Sequence, residues 1–343
     1  MTTSEVLATG KIAPALLTQL LARLPAPDTG LIVGPGVGED AAVLDLGRGP
    51  DQWVVAASDP VTLATELIGH YALHVCANDL AVTGATPRYF LPTVLLPAGV
   101  TTGEDVAAVF GSLIQACAAL DVCIAGGHTE VTDAVSRPVV AGSLLGTVPC
   151  DRMVTSSGAR PGDRLLLVGQ WPVEAISLIA REKRTELRAR GWTAAELQHA
   201  ANYLFDPGIS ILTPALAAAS SGLVTAMHDP TEGGIVTAIS ELAQASRVGM
   251  QVDMDALEAS SLARRLCHAF GLNPLGAIAS GSLLCTVAPE NGPALQLVLA
   301  DLGWPVCEVG MVAETPGALV ARRAGQTVPW PDFPVDEVTK LFA

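Results

Sequence analysis

Four short segments set acidic side chains beside turn-forming glycines or at expected strand ends: Gly36-Val37-Gly38-Glu39-Asp40, Ser58-Asp59-Pro60, Asn78-Asp79 and Gly126-Gly127-His128-Thr129-Glu130. Glycine lets the backbone approach phosphate oxygens, and hard carboxylate oxygens suit Mg²⁺, which takes a few carboxylates together with phosphates and water. Two carboxylates about 4 Å apart repel by roughly 4 kcal/mol at an effective dielectric near 20, so converging acids require a cation or a proton. Spacing alone does not establish convergence. Taken singly, Glu39-Asp40 is equally a turn before a strand, Asp59 a strand-ending acid before proline, and Asn78-Asp79 a polar helix face. The glycine loop lacks the Gly-Lys-Ser/Thr ending of a P-loop, and no G-x-G-x-x-G fingerprint stands there.

A fifth segment, His228-Asp229-Pro230-Thr231-Glu232-Gly233-Gly234, falls between an expected strand and an expected helix. Free amides at that helix N-terminus invite an anion; the alternative is a plain turn capped by Thr231. His70 and His74 share a helix face at i, i+4 spacing, but the Glu of an H-E-x-x-H zinc motif is missing. Cys267 beside His268 makes no nucleophile pair, because adjacent helical residues point in different directions.

The elements that must position these residues follow from period and punctuation. Ile12, Leu16, Leu17, Leu20, Leu21 and Leu24 share one stripe and predict an opening amphipathic helix. The runs 42–46 and 53–57, separated by Gly-Arg-Gly-Pro-Asp-Gln, predict a hairpin. A helix is expected over 67–83 and closed by Gly84, a strand over 88–96, and a helix from Thr102, with Asp105 completing a cap, to about Leu120. Strands follow at 122–125 and 139–148. Gly158-Ala159-Arg160-Pro161-Gly162-Asp163 marks a domain boundary. Beyond it, strands at 165–168, 224–227, 282–287 and 306–312 mix with helices at 210–220, 235–246 and 257–270. The charged segment 181–190 reads as a solvated helix face, and the stretch beyond Arg323 as a packed appendage.

Composition narrows the class. Half of the 343 residues are hydrophobic, enough for a large core, while aromatics are only 4% and give little surface for stacking bases. A formal charge of −15 argues against nucleic acid or anionic membrane as partner. The seven cysteines form no C-x-x-C pair and mostly sit in apolar runs, as reduced core residues of a cytoplasmic protein. Neither a signal peptide nor a stretch of about 18 apolar residues is visible.

In chain order, GVGEDAAVLDLG, ASDP, HVCANDLAVTGATPRY, AGGHTEVT, HDPTEGGIVTAISELA and NPLGAIASGSLL look like the successive motifs of the PurM-like (AIR synthase-related) superfamily, across about residues 10 to 325. The likeness is strongest to its hydrogenase-maturation HypE branch. It implies an α+β (α/β), PurM-like two-domain fold: an N-terminal ATP-binding and dimerising sheet domain at 1–157, a C-terminal α+β domain at 158–325 and a tail at 326–343. It further implies a homodimer holding ATP and Mg²⁺ at the domain and subunit junction. ATP would then phosphorylate an oxygen of a small molecule or a protein side chain. Carried over by position, Asp40, Asp59, Asp79 and Glu130 become metal ligands. Gly36, Gly38, Asn78, Gly126, Gly127, Thr129, Asp229 and Thr231 become nucleotide-site residues.

Two departures from the family pattern bear on the chemistry. The HypE branch ends in Pro-Arg-Ile-Cys, whose thiol accepts a carbamoyl group, whereas this sequence ends Val338-Thr339-Lys340-Leu341-Phe342-Ala343 and its last cysteine is Cys307. HypE-type carbamoyl dehydration would therefore take its thiol in trans, and a non-catalytic nucleotide-binding module is a further alternative. Several family members also carry an acid where this chain has His128. Glu130 then replaces it, or His128 is itself a ligand, or one metal position is lost.

Overall fold

The computed structural model describes residues 13–24, 28–47 and 51–342. Helix α1 (Pro14–Leu21) forms where the leucine stripe predicts it, yet none of its residues is buried; Ile12 lies outside the described residues. Strands β1 (Leu31–Val33), β2 (Ala42–Leu44) and β3 (Gln52–Val61) open the first sheet. The expected β2/β3 hairpin is present, Ala42 opposing Ala56, and its turn at 48–50 lies outside the described residues.

Helix α2 (Ile68–Val82), β4 (Thr86–Pro97), α3 (Gly103–Ala119), β5 (Cys123–Ile124), β6 (His128–Thr132) and β7 (Val139–Pro149) complete this half. The order is β1-β2-β3-β7-β4, with β5 and β6 both parallel to the far edge of β4. Thr102 and Asp105 form the predicted reciprocal cap of α3. Alternation along β7 aims Val140, Leu144 and Val148 at α2 and leaves Ser143 on the open face. Thirteen of the fifteen residues of α2 are buried. The helix has no solvent side because it is wedged between β3, β7, α3 and a helix of the second half.

The second half contains β8 (Arg164–Gly169), α4 (Val173–Glu182), α5 (Arg184–Ala189), α6 (Ala194–Asn202), α7 (Leu212–Ser221), β9 (Val224–His228), α8 (Gly234–Ser246), β10 (Gly249–Asp253), α9 (Ser261–Ala269), β11 (Ser282–Val287), α10 (Gly292–Ala300), β12 (Val306–Ala313), β13 (Leu319–Arg323) and β14 (Gln326–Val328). Its sheet runs β14-β13-β10-β12-β8-β11-β9. Helix α7 is the one that packs on α2. The chain thus forms an α+β fold of two sheets.

Three readings change. Helix α9 begins four residues after Leu257, because the Ser260 hydroxyl accepts from the Ala263 amide and fixes the N-terminus there. The segment 181–190 is not a uniformly solvated face. It breaks between α4 and α5, and Arg181 turns inward to donate from Nη2 to the Ala201 carbonyl at 2.8 Å. Cys123 and Cys307 are exposed, unlike the buried Cys76, Cys117, Cys267 and Cys285.

Candidate active site

Four acids from both halves meet where α2 faces the second domain. Asp59 stands on β3 opposite Gly142. Its strand position faces α2, since a Cβ at Gly142 would strike the Cys76 Sγ and the Phe90 ring. Asp79 projects from α2, Asp40 precedes β2 and Asp229 follows β9. Burial, then the carboxylates of Asp59, Asp229 and Asp40, hold the Asp79 carboxyl well above the ordinary range. Its Oδ2 is buried without a hydrogen-bond partner among the described residues. Repelling acids around an orphaned oxygen are a site that a hard divalent cation would complete, so the residues present fit Mg²⁺.

A second charge sits at the rim of this cluster. His228 ends β9, with its Nδ1 2.8 Å from Asp40 Oδ2 and its Nε2 3.2 Å from Glu241 Oε2 on α8. Burial alone would lower its pKa, but the two carboxylates outweigh burial and raise it well above the ordinary histidine value. The imidazolium therefore bridges the two halves. Ser156 adds a hydroxyl 3.2 Å from the same Asp40 oxygen. Among the described residues, Asp40, His228 and Asp229 alone bring three ligand atoms within 4.8 Å of one another. His70 and His74 stack, ring centroids 4.1 Å apart, and belong to no such group.

The remaining carried-over residues are placed differently. Gly38 has φ +84°, and a Cβ there would meet the Glu241 carbonyl oxygen at 2.5 Å, so this glycine permits docking of the loop on α8. Gly36 lies in the same loop, against the Glu39 side chain. Asn78 is fully engaged between halves: its amide donates to the Ile209 carbonyl, and its carbonyl accepts from the Ile211 amide, both at 2.9 Å. Gly126 and Gly127 interrupt the edge between β5 and β6. A Cβ on Gly127 would lie 2.3 Å from the Pro92 carbonyl oxygen.

Within one chain, the glycine pair stands three strands from Asp59, a separation of about 14 Å. Thr129 lies on this same edge. Glu130 pairs with His128 at 3.1 Å, both exposed, on the sheet face opposite Asp59. Thr231 does not cap α8 with its side chain; its carbonyl accepts from the Gly234 amide. The helix N-terminus is also not left for an outside anion, because the Gly233 amide donates to Asp336 Oδ2 at 2.7 Å. His228 was visible as the first residue of the His-Asp-Pro-Thr motif. Nothing in the spacing signalled Glu241, Ser156 or Asp336.

Comparison with known proteins places this arrangement. Residues 38–148 match the N-terminal domain of AIR synthase related proteins, and residues 160–321 match the C-terminal domain. The chain belongs to the AIR synthase-related family. Among AIR synthase-related proteins, it is 26% identical over 230 residues to "Carbamoyl dehydratase HypE" of Rhizobium leguminosarum bv. viciae, covering 66% of this chain and 62% of that relative's length. It is 29% identical over 264 residues to "Selenide, water dikinase" of Dechloromonas aromatica, covering 76% of this chain and 71% of the relative. The fold matches the crystal structure of the hydrogenase maturation protein HypE in complex with ATP. That match has a TM-score of 0.69 and 24% identity, over 88% of this chain and 91% of the other.

Proposed function

We propose that this AIR synthase-related protein binds Mg-ATP between its two halves and transfers the terminal phosphoryl group to an oxygen of a small-molecule or protein side-chain acceptor. The observation that carries the reading is the gathering of Asp40, Asp59 and Asp229 about Asp79, whose buried Oδ2 has no hydrogen-bond partner among the described residues. Asp59, Asp79 and Asp229 would hold Mg²⁺, with Asp40 divided between the metal and His228. Bound there, Mg²⁺ would neutralise phosphate charge. The protein's part is orientation: α2 fixes Asp79 against β3, and the His228 bridge sets the second domain against the first. Relatives named for ATP-bound HypE and for a dikinase support nucleotide use.

A homodimer is part of the same reading. Tyr89, Leu91, Leu95 and Leu145 line the face of the first sheet turned away from α2, and Tyr89 and Leu91 are exposed. Pairing of two such faces would cover them and bring His128 and Glu130 of each chain to the junction. The relatives named as carbamoyl dehydratases favour a second reading, dehydration of a carbamoyl group. Calorimetric titration with ATP, with and without Mg²⁺, run beside phosphate release, tests the first reading. Magnesium-dependent binding with little idle hydrolysis is expected, and absence of binding under both conditions sinks it.

A further inference from the structure

Helix α9 carries a basic face that neither the core nor the acid cluster uses. Ser261, Arg264, Arg265 and His268 recur at three- and four-residue steps, so they share one side of the helix, and all four are exposed. With Pro274 they line an open groove of about 700 Å³, whose described lining holds two guanidinium groups, one imidazole and no carboxylate. The chain around it carries 34 Asp and Glu against 19 Lys and Arg. Each arginine is tethered through one nitrogen. Arg264 Nη1 donates to Glu258 Oε1 and to the Ala259 carbonyl, at 2.5 and 2.7 Å, and Arg265 Nη1 donates to Glu196 Oε1 at 2.6 Å. The Nε and Nη2 donors take no part in these bonds, and about half of each side chain is exposed, 48% and 52%. A guanidinium holds its donors in a planar fork, so the remaining edge of each suits a carboxylate. Arg265 is also pinned over the Trp192 ring, 4.0 Å from its centroid, which leaves it little side-chain freedom to lose on binding. Glu196 is committed elsewhere, because its other oxygen accepts from the Thr193 amide and hydroxyl at 2.8 and 2.7 Å.

Exposed ion pairs of this kind contribute at most about 1 kcal/mol to stability, so folding alone does not account for the cluster. Arg264 and Pro274 also line a second hollow of about 530 Å³, with Trp171, Met254, Leu257 and Leu275 as its apolar wall. Asp255, Glu258 and Arg323 line it as well, so only the first hollow is uniformly basic. Arg264 and His268 stand four residues apart, about 6 Å along the helix axis. Alternate side chains of an extended chain point the same way and repeat at about 6.6 Å. We propose that this groove docks an extended acidic segment of a partner protein. Two carboxylates at alternate positions meet Arg264 and His268, with Arg265 beside them, and an apolar side chain enters the hollow beyond Pro274. An open groove favours a peptide over a small ligand, which is normally enclosed over most of its surface. The net charge of −15 repels such a segment at long range, but at physiological ionic strength screening over about 8 Å leaves the groove's own cations in control. None of the lining residues belongs to the acid cluster, so this surface stands apart from the nucleotide reading.

The test is fluorescence anisotropy of the labelled peptide Leu-Ser-Glu-Ser-Glu-Ser-Leu, titrated with the full chain at physiological ionic strength, beside a neutral twin with both glutamates replaced by glutamine. The acidic peptide is expected to bind saturably and the twin not to. Arg264→Gln and Arg265→Gln should each weaken binding roughly tenfold, the scale of a lost hydrogen bond to a charged group, and His268→Ala should weaken it less. Arg160→Gln, at an exposed arginine outside the groove, should leave the affinity unchanged. Circular dichroism should show every variant folded, since all these side chains are exposed. No saturable binding, equal binding of the two peptides, an unchanged affinity in either groove arginine variant, or an equal loss in Arg160→Gln overturns the proposal. Displacement by inorganic phosphate as effective as displacement by unlabelled peptide also overturns it, because the groove would then be a simple anion site.

Discussion

The two seven-stranded sheets are buried in different ways. Every residue of β11 in the second sheet is buried, whereas β7 at the centre of the first alternates between buried and partly exposed positions. A strand covered on both faces reads as a continuous apolar run, and a strand covered on one face alternates. The second domain therefore completes its core within one chain, while the first keeps an apolar face in reserve. The candidate site follows the same division. The converging acids lie on the covered side of the first sheet, against the second domain, and His128 with Glu130 lie on the bare side.

Substitutions can break this contrast, beginning with the most damaging. Leu284→Asp buries an unpaired charge in β11, at a site with no exposure. Its cost of several kcal/mol approaches the whole stability of a domain, about 5–15 kcal/mol, so circular dichroism should show an unfolded or insoluble second half. Asp79→Asn should leave folding intact and lower Mg-dependent nucleotide affinity roughly 100-fold, near 2.7 kcal/mol. Unchanged affinity by calorimetry would remove Asp79 from the site.

A pH series without metal sharpens the contrast between buried and exposed acids. Glu174 moves from 4.5 to about 8 on folding. Between those values the folded state keeps a proton that the unfolded state has released, so stability falls as pH rises through the window. The limiting slope is about 1.4 kcal/mol per pH unit. Urea unfolding of Glu174→Gln should lose that part of the slope and gain stability near pH 8; an unaltered slope would contradict the assignment. Leu91→Asp, on the bare face of the first sheet, should change monomer stability by about 1 kcal/mol or less while halving the mass seen by light scattering. A wild-type mass already equal to one chain would dismiss the dimer. His128→Ala should alter stability least, by about 0.5 kcal/mol or less for an exposed pair. A clear loss of nucleotide affinity in that variant would assign the bare-face pair to the site.

Much of the fold was legible because local signals agree with tertiary demands. Thr102 with Asp105 marked the start of α3, and Gly84 marked the end of α2. Family membership and the two-domain α+β architecture followed from the ordered motifs. The site was legible in part. Asp40, Asp59 and Asp79 carried a turn or strand-end signature, but their meeting with Asp229 is made by packing. Glu130 shares that composition, yet strand alternation aims it the other way. Gly38 looked suited to a phosphate, and the close approach it permits is to the backbone of α8. Asp336 lies in a proline-containing segment without period, so no local rule could connect it with Gly233, 103 residues earlier.

Asn78 and Asp79 are adjacent on α2, one clasping the backbone at Ile209 and Ile211, the other standing in the acid cluster. Mechanically, α2 is an axle shared by two parts. A rotation that shifts the 209–211 segment must either break the asparagine clasp or turn the aspartate with it. Any shift of the 209–211 segment would therefore act on the proposed metal site through one peptide unit.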